Sequence, residues 1–389
     1  MIQITDSHRF SALTTPHCTA IVDLGLLAGN VRTLSERVGS DVEMMAVVKA
    51  DAYGHGLVPC AQAALAGGAT WLATALLSEA CALRDAGITA PTLAWLNTMD
   101  DRFPECVGRG IDLAVNSTET LARIVQAAEQ VGKRARVHIK VDTGLSRNGV
   151  TTADLPNLII ELLRARAHVD VVGAMSHFAY ADEPHHPTIA RQATLFVQAV
   201  DQLEAAGFEL EVKHLSNSAA TLGLPATYFN LVRPGIAIYG ISPGEEVGTP
   251  QQHNLTPVMT LKSSVVLVKH VPADTGVSYA HQYHTSRDTH LALVPVGYAD
   301  GLPRAASNKG QVLLRGERLT VAGRICMDQF VLDVGDLNVR TGDEVVIFGD
   351  PARGEPSAEE WGHAAGTIGY EIVTRLGPRV VRRHINAPG

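Results

Sequence analysis

Residues 44–56 read Met44-Met45-Ala46-Val47-Val48-Lys49-Ala50-Asp51-Ala52-Tyr53-Gly54-His55-Gly56. An unbroken apolar run of this length suits a strand covered on both faces. It stops at an amine, and the loop that follows holds two Gly, a Tyr and a His. A strand whose carboxyl end carries polar groups is the unit of a parallel α/β sheet, where the strand ends face the site. The same unit recurs on both sides. Apolar runs at 20–24, 71–75, 92–96, 112–115, 137–141, 169–175, 211–215 and 231–232 continue the series. Between them lie amphipathic stretches. Leu26, Leu27, Val31, Leu34 and Val38 form a helical stripe, Ser117 suits an N-cap with Glu119 in the first turn, and further helices are expected at 155–166 and at 188–206, before Gly207. A closed eightfold barrel and an open doubly wound sheet both have this alternation. The strand count, with no Gly-x-Gly-x-x-Gly after the first strand, favours the barrel.

Beyond residue 243 the texture changes. Ser242-Pro243-Gly244 and Gly248-Thr249-Pro250 make a breaker-rich joint. Short runs at 263–268, 291–296, 311–314, 319–321, 330–334 and 344–348 then alternate with turns such as Thr341-Gly342-Asp343, which predicts a mainly β domain. One helix is expected near 357–365, with Ser357 as its cap. The predicted architecture is an N-terminal (β/α)8 TIM-type barrel at 13–243 and a β-rich domain at 244–389, with residues 1–12 packing against the latter.

Composition bounds the function. Of 389 residues, 46% are hydrophobic and 19% charged, which excludes a mostly disordered chain. Lys and Arg number 32 against 40 Asp and Glu, so the net charge of −8 argues against a nucleic-acid binder. Cys18, Cys60, Cys81, Cys106 and Cys326 are scattered and contain no Cys-x-x-Cys, so neither a disulfide framework nor a metal site is expected. No apolar run is long enough for a membrane span, and the first residues lack a basic stretch followed by an apolar one. A cytoplasmic protein with reduced thiols is expected.

The candidate chemistry lies at strand ends. Lys49 could form a Schiff base with a carbonyl. His138-Ile139-Lys140-Val141-Asp142-Thr143-Gly144-Leu145-Ser146-Arg147 places His138 and Lys140 on one strand face. Ser176-His177-Phe178, His214-Leu215-Ser216-Asn217-Ser218 and Arg233-Pro234-Gly235-Ile236 follow later apolar runs. Ser and Gly amides at such ends can cradle phosphate. In the β-rich region Tyr279 could act as an acid or base, and Cys326 beside Met327 reads as a buried sulfur pair.

In order and spacing these segments resemble the alanine racemases, the fold-type-III enzymes dependent on pyridoxal phosphate. Val48-Lys49-Ala50-Asp51-Ala52-Tyr53-Gly54-His55-Gly56 comes first, then the segments around Lys140, His177, Ser218 and Arg233. Ser278-Tyr279, Gly297-Tyr298-Ala299-Asp300-Gly301, Gly323-Arg324-Ile325-Cys326-Met327-Asp328-Gln329 and Thr367-Ile368-Gly369-Tyr370-Glu371 complete it. The resemblance covers nearly the whole chain and implies interconversion of L- and D-alanine, for D-alanine in cell-wall peptidoglycan. It implies a homodimer with shared sites, in which Lys49 of one chain and Tyr279 of the other are the two bases. Lys49 would also hold the cofactor. Tyr53, Ser218, Gly235, Ile236 and Tyr370 would bind its phosphate, Asn217 would also bind the cofactor, His177 and Arg147 would flank its ring and 3′-oxygen, and Arg233 would face its ring nitrogen. Arg147, Tyr298 and Met327 would contact substrate, and Lys140 matches a position carbamylated in some members. Leu145 and Ala280 stand where Met and Gly are frequent. A racemase of wider scope, for serine or basic amino acids, is the alternative. A decarboxylase would put an acid where Arg233 stands, and a simple cofactor carrier would lack the second domain.

Overall fold

The computed structural model describes residues 16–98 and 102–388. The expected packing of residues 1–12 lies outside them. Eight strands form a parallel ring: Glu43–Val47, Trp71–Thr74, Thr92–Ala94, Asp112–Val115, Ala135–Asp142, Val169–Met175, Val212–His214 and Leu231–Val232. The last pairs with the first, Leu231 opposite Glu43 and Val232 opposite Met44. The ring is nearly closed at its remaining gap. There Arg233 N–H donates to Ser216 O at 2.9 Å, and the Asn230 side chain accepts from Lys213 N–H at 2.7 Å and donates to Glu211 O at 2.8 Å.

The central strands are buried at every position in Trp71–Thr74 and Asp112–Val115, as expected of strands with helices outside and a packed barrel inside. The covering helices begin where the sequence offers caps. Asp23 Oδ1 accepts from Leu26 N–H at 3.0 Å and opens Leu24–Val38, slightly ahead of the stripe that predicts it. Ser117 Oγ accepts from Thr120 N–H at 3.2 Å and opens Thr118–Val131. Leu155–Arg164 and Thr188–Ala205 follow. Their inner faces include the fully buried Ile124, Leu162, Phe196 and Leu203, each large aliphatic or aromatic side chain contributing about 1.5–3 kcal/mol on burial.

One strand departs from the reading. The apolar run at 20–24 reads as one of the parallel series, but Cys18–Asp23 lies in a six-stranded sheet between Met259–Ser264 and Val381–Ile385. Its residues alternate buried and half-buried, the pattern of a sheet that is not enclosed equally on both faces. The other strands of that sheet are Glu344–Phe348, Gln311–Leu314 and Glu317–Thr320. A three-stranded antiparallel sheet is built of Leu267–Val271, Thr289–Val294 and Phe330–Gly335. The single strand expected at 263–268 is therefore two. Val265 N–H still donates to Asp343 O, whereas Val266 N–H donates to Leu293 O, so the chain changes sheets between adjacent residues. Ser357 caps Ala358–Ala365 in a capping box with Glu360.

The chain divides into two compact units. Among the described residues the barrel unit comprises 22–98 and 102–259 with Gly369–Thr374 and 384–388, and the β-rich unit 16–21, 260–368 and 375–383. Among the described residues no helix is long and apolar enough to cross a membrane. All five Cys are free thiols.

Candidate active site

A cavity of about 300 Å³ opens among the carboxyl ends of the barrel strands. Val47, Lys49, Tyr53, Trp95, Lys140, Arg147, Met175, His177, Asn217, Ser218, Arg233, Gly235, Ile236 and Tyr370 line it. Every barrel residue to which the family resemblance gives a role is among them, whereas His138, Ser176 and His214 are not. Tyr370 reaches this unit from far along the chain, on the short helix Gly369–Thr374.

Lys49 is presented by an unusual turn. Ala50, Asp51, Ala52 and Tyr53 all have φ between +53° and +55°, a left-handed turn of four L-residues. Each costs roughly 1–2 kcal/mol relative to the right-handed form. Neighbouring groups hold it. Glu79 Oε1 accepts from Ala50 N–H at 2.6 Å, while its Oε2 accepts from Ala75 and Leu76 N–H, both at 3.0 Å. Asp51 Oδ1 accepts from Leu57 N–H at 2.8 Å. Lys49 Nζ then lies 5.9 Å from the ring centres of both Tyr53 and Trp95. Burial and the Arg147 charge pull its pKa below the ordinary lysine value, and Glu79 opposes them.

His138 and Lys140 are both buried. Burial, then Arg233, Arg147 and Lys49, lower Lys140 to about 8. His177 is held well below its ordinary value by burial and by the same cations, so it is a neutral imidazole. The loop carrying Arg147 is built on Asp142 Oδ1, which accepts from Gly144 and Ser146 N–H at 2.9 and 3.0 Å. Buried Gln192 joins this loop to the next by donating to Thr143 Oγ1 at 3.3 Å and to His177 O at 3.1 Å.

Arg233 is fully buried, and burial lowers its pKa to about 9. Its Nη1 donates to His214 O at 2.7 Å and His214 Nδ1 at 3.1 Å. Its Nη2 donates to Ser176 O at 2.6 Å and Leu215 O at 3.1 Å. Among the described residues nothing accepts from its Nε–H. Ser218 Oγ accepts from Gly235 and Ala237 N–H at 2.8 and 3.3 Å. Gly235 is required by space: a Cβ there would sit 2.3 Å from the Tyr53 hydroxyl.

These residues fit pyridoxal phosphate. Four cationic side chains and no carboxylate line the cavity, so it calls for an anionic ligand. The free Arg233 Nε–H suits a ring-nitrogen acceptor, and the crowded Gly235 leaves a small-residue cradle beside Ser218, Asn217 and Tyr53. Gly235→Ala is expected to raise the dissociation constant for pyridoxal phosphate roughly tenfold or more, an overpacking cost of about 1–3 kcal/mol. Titration of the apoprotein with the cofactor reads this, and an unchanged constant would remove Gly235 from the cradle.

Tyr279, Tyr298 and Met327 belong to the β-rich unit and are 67%, 40% and 53% exposed. The backbone clusters their loops: Ser278 Oγ donates to Arg324 O at 2.7 Å, Tyr298 N–H to Cys326 O at 3.0 Å and Ala299 N–H to Met327 O at 2.9 Å. Cys326 is half-buried and Met327 exposed, so the expected buried sulfur pair does not form. The backbone here follows the loop's hydrogen bonds and leaves Met327 facing out. Ala280, where Gly is frequent, has φ +59°, a conformation that Gly takes without strain.

The sequence reading missed Trp95, Glu79 and Gln192. Trp95 was findable, since it lies in the apolar run at 92–96. Glu79 and Gln192 act on loops distant in sequence, and their types alone give no signal.

Residues 22–243 match the family described as alanine racemase, N-terminal domain, and residues 258–384 the alanine racemase C-terminal domain. An alanine racemase of Frankia casuarinae is 52% identical over 368 residues, covering 94% of this chain and 96% of that protein. The crystal structure of alanine racemase from D-cycloserine-producing Streptomyces lavendulae has a TM-score of 0.94 at 50% identity, covering 96% of this chain and 98% of that one. Alanine racemase from Bacillus anthracis with bound L-Ala-P has a TM-score of 0.87 at 34% identity, covering 96% of each chain.

Proposed function

The chain belongs to the alanine racemase family, and from that premise we propose that it interconverts L- and D-alanine with pyridoxal phosphate in the barrel cavity. The observation that carries the reading is the cavity itself, where Lys49 faces a ring of cations with no carboxylate among them. When bound, the cofactor supplies an electron sink that acidifies the substrate's α-proton.

The chain's own groups do the rest. Lys49 holds the cofactor at rest and serves as the base on one face, helped by the lowered pKa that keeps its amine available. Tyr279 of the partner subunit serves as the base on the other. Arg233 would donate its Nε–H to the ring nitrogen and, still protonated at neutral pH with a pKa of about 9, would leave that nitrogen unprotonated. That would weaken the sink and favour return of a proton to Cα over side reactions. His177 and Arg147 flank the ring and its 3′-oxygen, and Arg147 also orients substrate. Tyr53, Ser218, Gly235, Ile236 and Tyr370 would hold the phosphate, with Asn217 also at the cofactor. Tyr298 and Met327 of the partner narrow access to a small side chain.

A homodimer with shared sites is supported by the exposed cluster of Tyr279, Tyr298 and Met327, three large side chains that a lone chain leaves uncovered. Residues 13–243, joined by Tyr370, then form the cofactor-binding module, and the rest of 244–389 the module lent to the partner. The protein works in the cytoplasm and supplies D-alanine for peptidoglycan. Assay of both alanine isomers with added cofactor, beside serine, lysine and arginine, tests the activity. Failure on alanine with turnover of another amino acid would replace it with a broader racemase. Activity that survives dilution to a monomer would refute the shared site.

Lys140 is the natural candidate for carbamylation, since only a neutral amine takes up carbon dioxide and this one is lowered to about 8. The modified group would be an anion able to hold Arg147. Unmodified, it opposes folding. The unfolded chain binds more protons between about pH 8 and the ordinary lysine value, so this group's penalty is full below pH 8 and fades as pH rises. In cofactor-free protein purged of carbon dioxide, Lys140→Met should raise the melting temperature at pH 7 and raise it less at pH 10. An equal gain at both values would contradict a charged Lys140.

A further inference from the structure

A line of buried polar groups runs through the barrel interior, below the cavity. Arg233 Nη1 meets His214 Nδ1 at 3.1 Å, His214 Nε2 meets His138 Nδ1 at 2.8 Å, and His138 Nε2 meets Asp112 Oδ2 at 3.1 Å. Both imidazoles are fully buried and Asp112 nearly so. Arg136 closes the line. Its Nε donates to both Asp112 oxygens at 3.0 and 3.3 Å, and its two terminal nitrogens donate to Glu211 at 3.0 and 2.8 Å.

We propose that Asp112, acting through His138 and His214, is a positioning residue that fixes the orientation and charge of Arg233. The inference rests on the cavity being the racemase site.

The direction of the chain is forced by donor counting. A guanidinium has no acceptor, so His214 Nδ1 must accept from Arg233. His214 then carries its proton on Nε2 and gives it to His138 Nδ1, which leaves His138 to donate from Nε2 to the carboxylate. Each ring is neutral with its lone pair turned toward Arg233, and a negative charge stands at the far end. This matters because the cavity contains no carboxylate to stabilise that guanidinium.

The backbone is shaped for the line. The pairing of Ala135–Asp142 with Val169–Met175 shifts register between Val137 and His138. Opposite lies Gly173, where a Cβ would fall 2.4 Å from His138 Nδ1, so only Gly leaves room for the ring. The Trp71 ring meets the His138 ring edge-on at 5.7 Å.

Asp112→Asn inverts the chain. Arg136 claims the amide oxygen, so the amide N–H faces His138 Nε2. The proton of each imidazole then moves to Nδ1, and His214 Nδ1–H points at the Arg233 donors. Two donors repel, and the guanidinium must turn.

The decisive measurement is nitrogen NMR of the holoenzyme with ¹⁵N-labelled histidine, assigned through His138→Gln and His214→Gln. In the native protein both rings are expected with the proton on Nε2, and in Asp112→Asn with the proton on Nδ1. A proton on His214 Nδ1 in the native protein, or unchanged rings in the variant, would overturn the proposal. In kinetics, Asp112→Asn is expected to lower kcat roughly tenfold and to raise the share of turnovers that end in cofactor transamination, with Asp112→Glu restoring both in part. A loss of kcat with that share unchanged marks a merely structural role and overturns the proposal. If Asp112→Asn does not fold, His138→Phe serves, and full native kcat in that variant overturns it. The ring protons are read without substrate, so they decide the relay even if alanine is not turned over.

Discussion

Lys49→Ala is expected to lower alanine racemisation by at least ~10²–10⁴-fold, the range lost with one acid–base group, and to abolish the visible absorbance of lysine-bound cofactor. The loss in kcat/KM must be equal from L- and from D-alanine, because the equilibrium constant between the two isomers is one. The phosphate site is made by other residues, so the variant should still bind pyridoxal phosphate, more weakly and without covalent attachment. A small primary amine added to the solution should restore part of the rate if the loss is one of proton transfer. Substantial native activity in Lys49→Ala, or an unchanged absorbance, would remove Lys49 from both roles.

Tyr279→Phe is expected to cost about 10²–10⁴-fold in the same assay, but with a different signature. Lys49 remains on its own face. In deuterium oxide, one alanine isomer should therefore continue to exchange its α-hydrogen with solvent while inversion nearly ceases, and the other isomer should exchange slowly. Lys49→Ala should show the mirror pattern. Rapid exchange of both isomers in Tyr279→Phe would mean that a single base serves both faces. Mixing Lys49→Ala with Tyr279→Phe subunits adds a test of sharing. A mixed dimer combines one doubly damaged site with one intact site, so activity should reappear from two inactive proteins.

Much of this site was legible because catalytic groups in a parallel barrel gather at strand ends. Lys49, Lys140, His177 and Arg233 each follow or close an apolar run, and all line the same cavity. The helix caps Asp23, Ser117 and Ser357 could be read because capping is local. What escaped is non-local. Residues 20–24 look like the other apolar runs, and only pairing with Met259–Ser264 and Val381–Ile385 assigns that strand to the six-stranded sheet. The split at Val265 depends on Asp343 and Leu293, far along the chain. His138 was visible as a strand residue, but its partners Asp112 and His214 come from other strands.

The left-handed turn after Lys49 bears on how the protein comes to maturity. Four consecutive L-residues in that conformation are locally unfavourable by several kcal/mol at about 1–2 kcal/mol each, so the turn will not persist in an isolated segment. Its supports are Glu79 on a later helix and Leu57 at the start of the next one, whose N–H donates to Asp51. The nascent chain therefore exposes Lys49 as one amine among several, with nothing to single it out for an aldehyde. Selectivity for that amine arises only once the surrounding barrel has closed. Cofactor capture is then a late event in biogenesis, and holoenzyme formation reports that the barrel is complete.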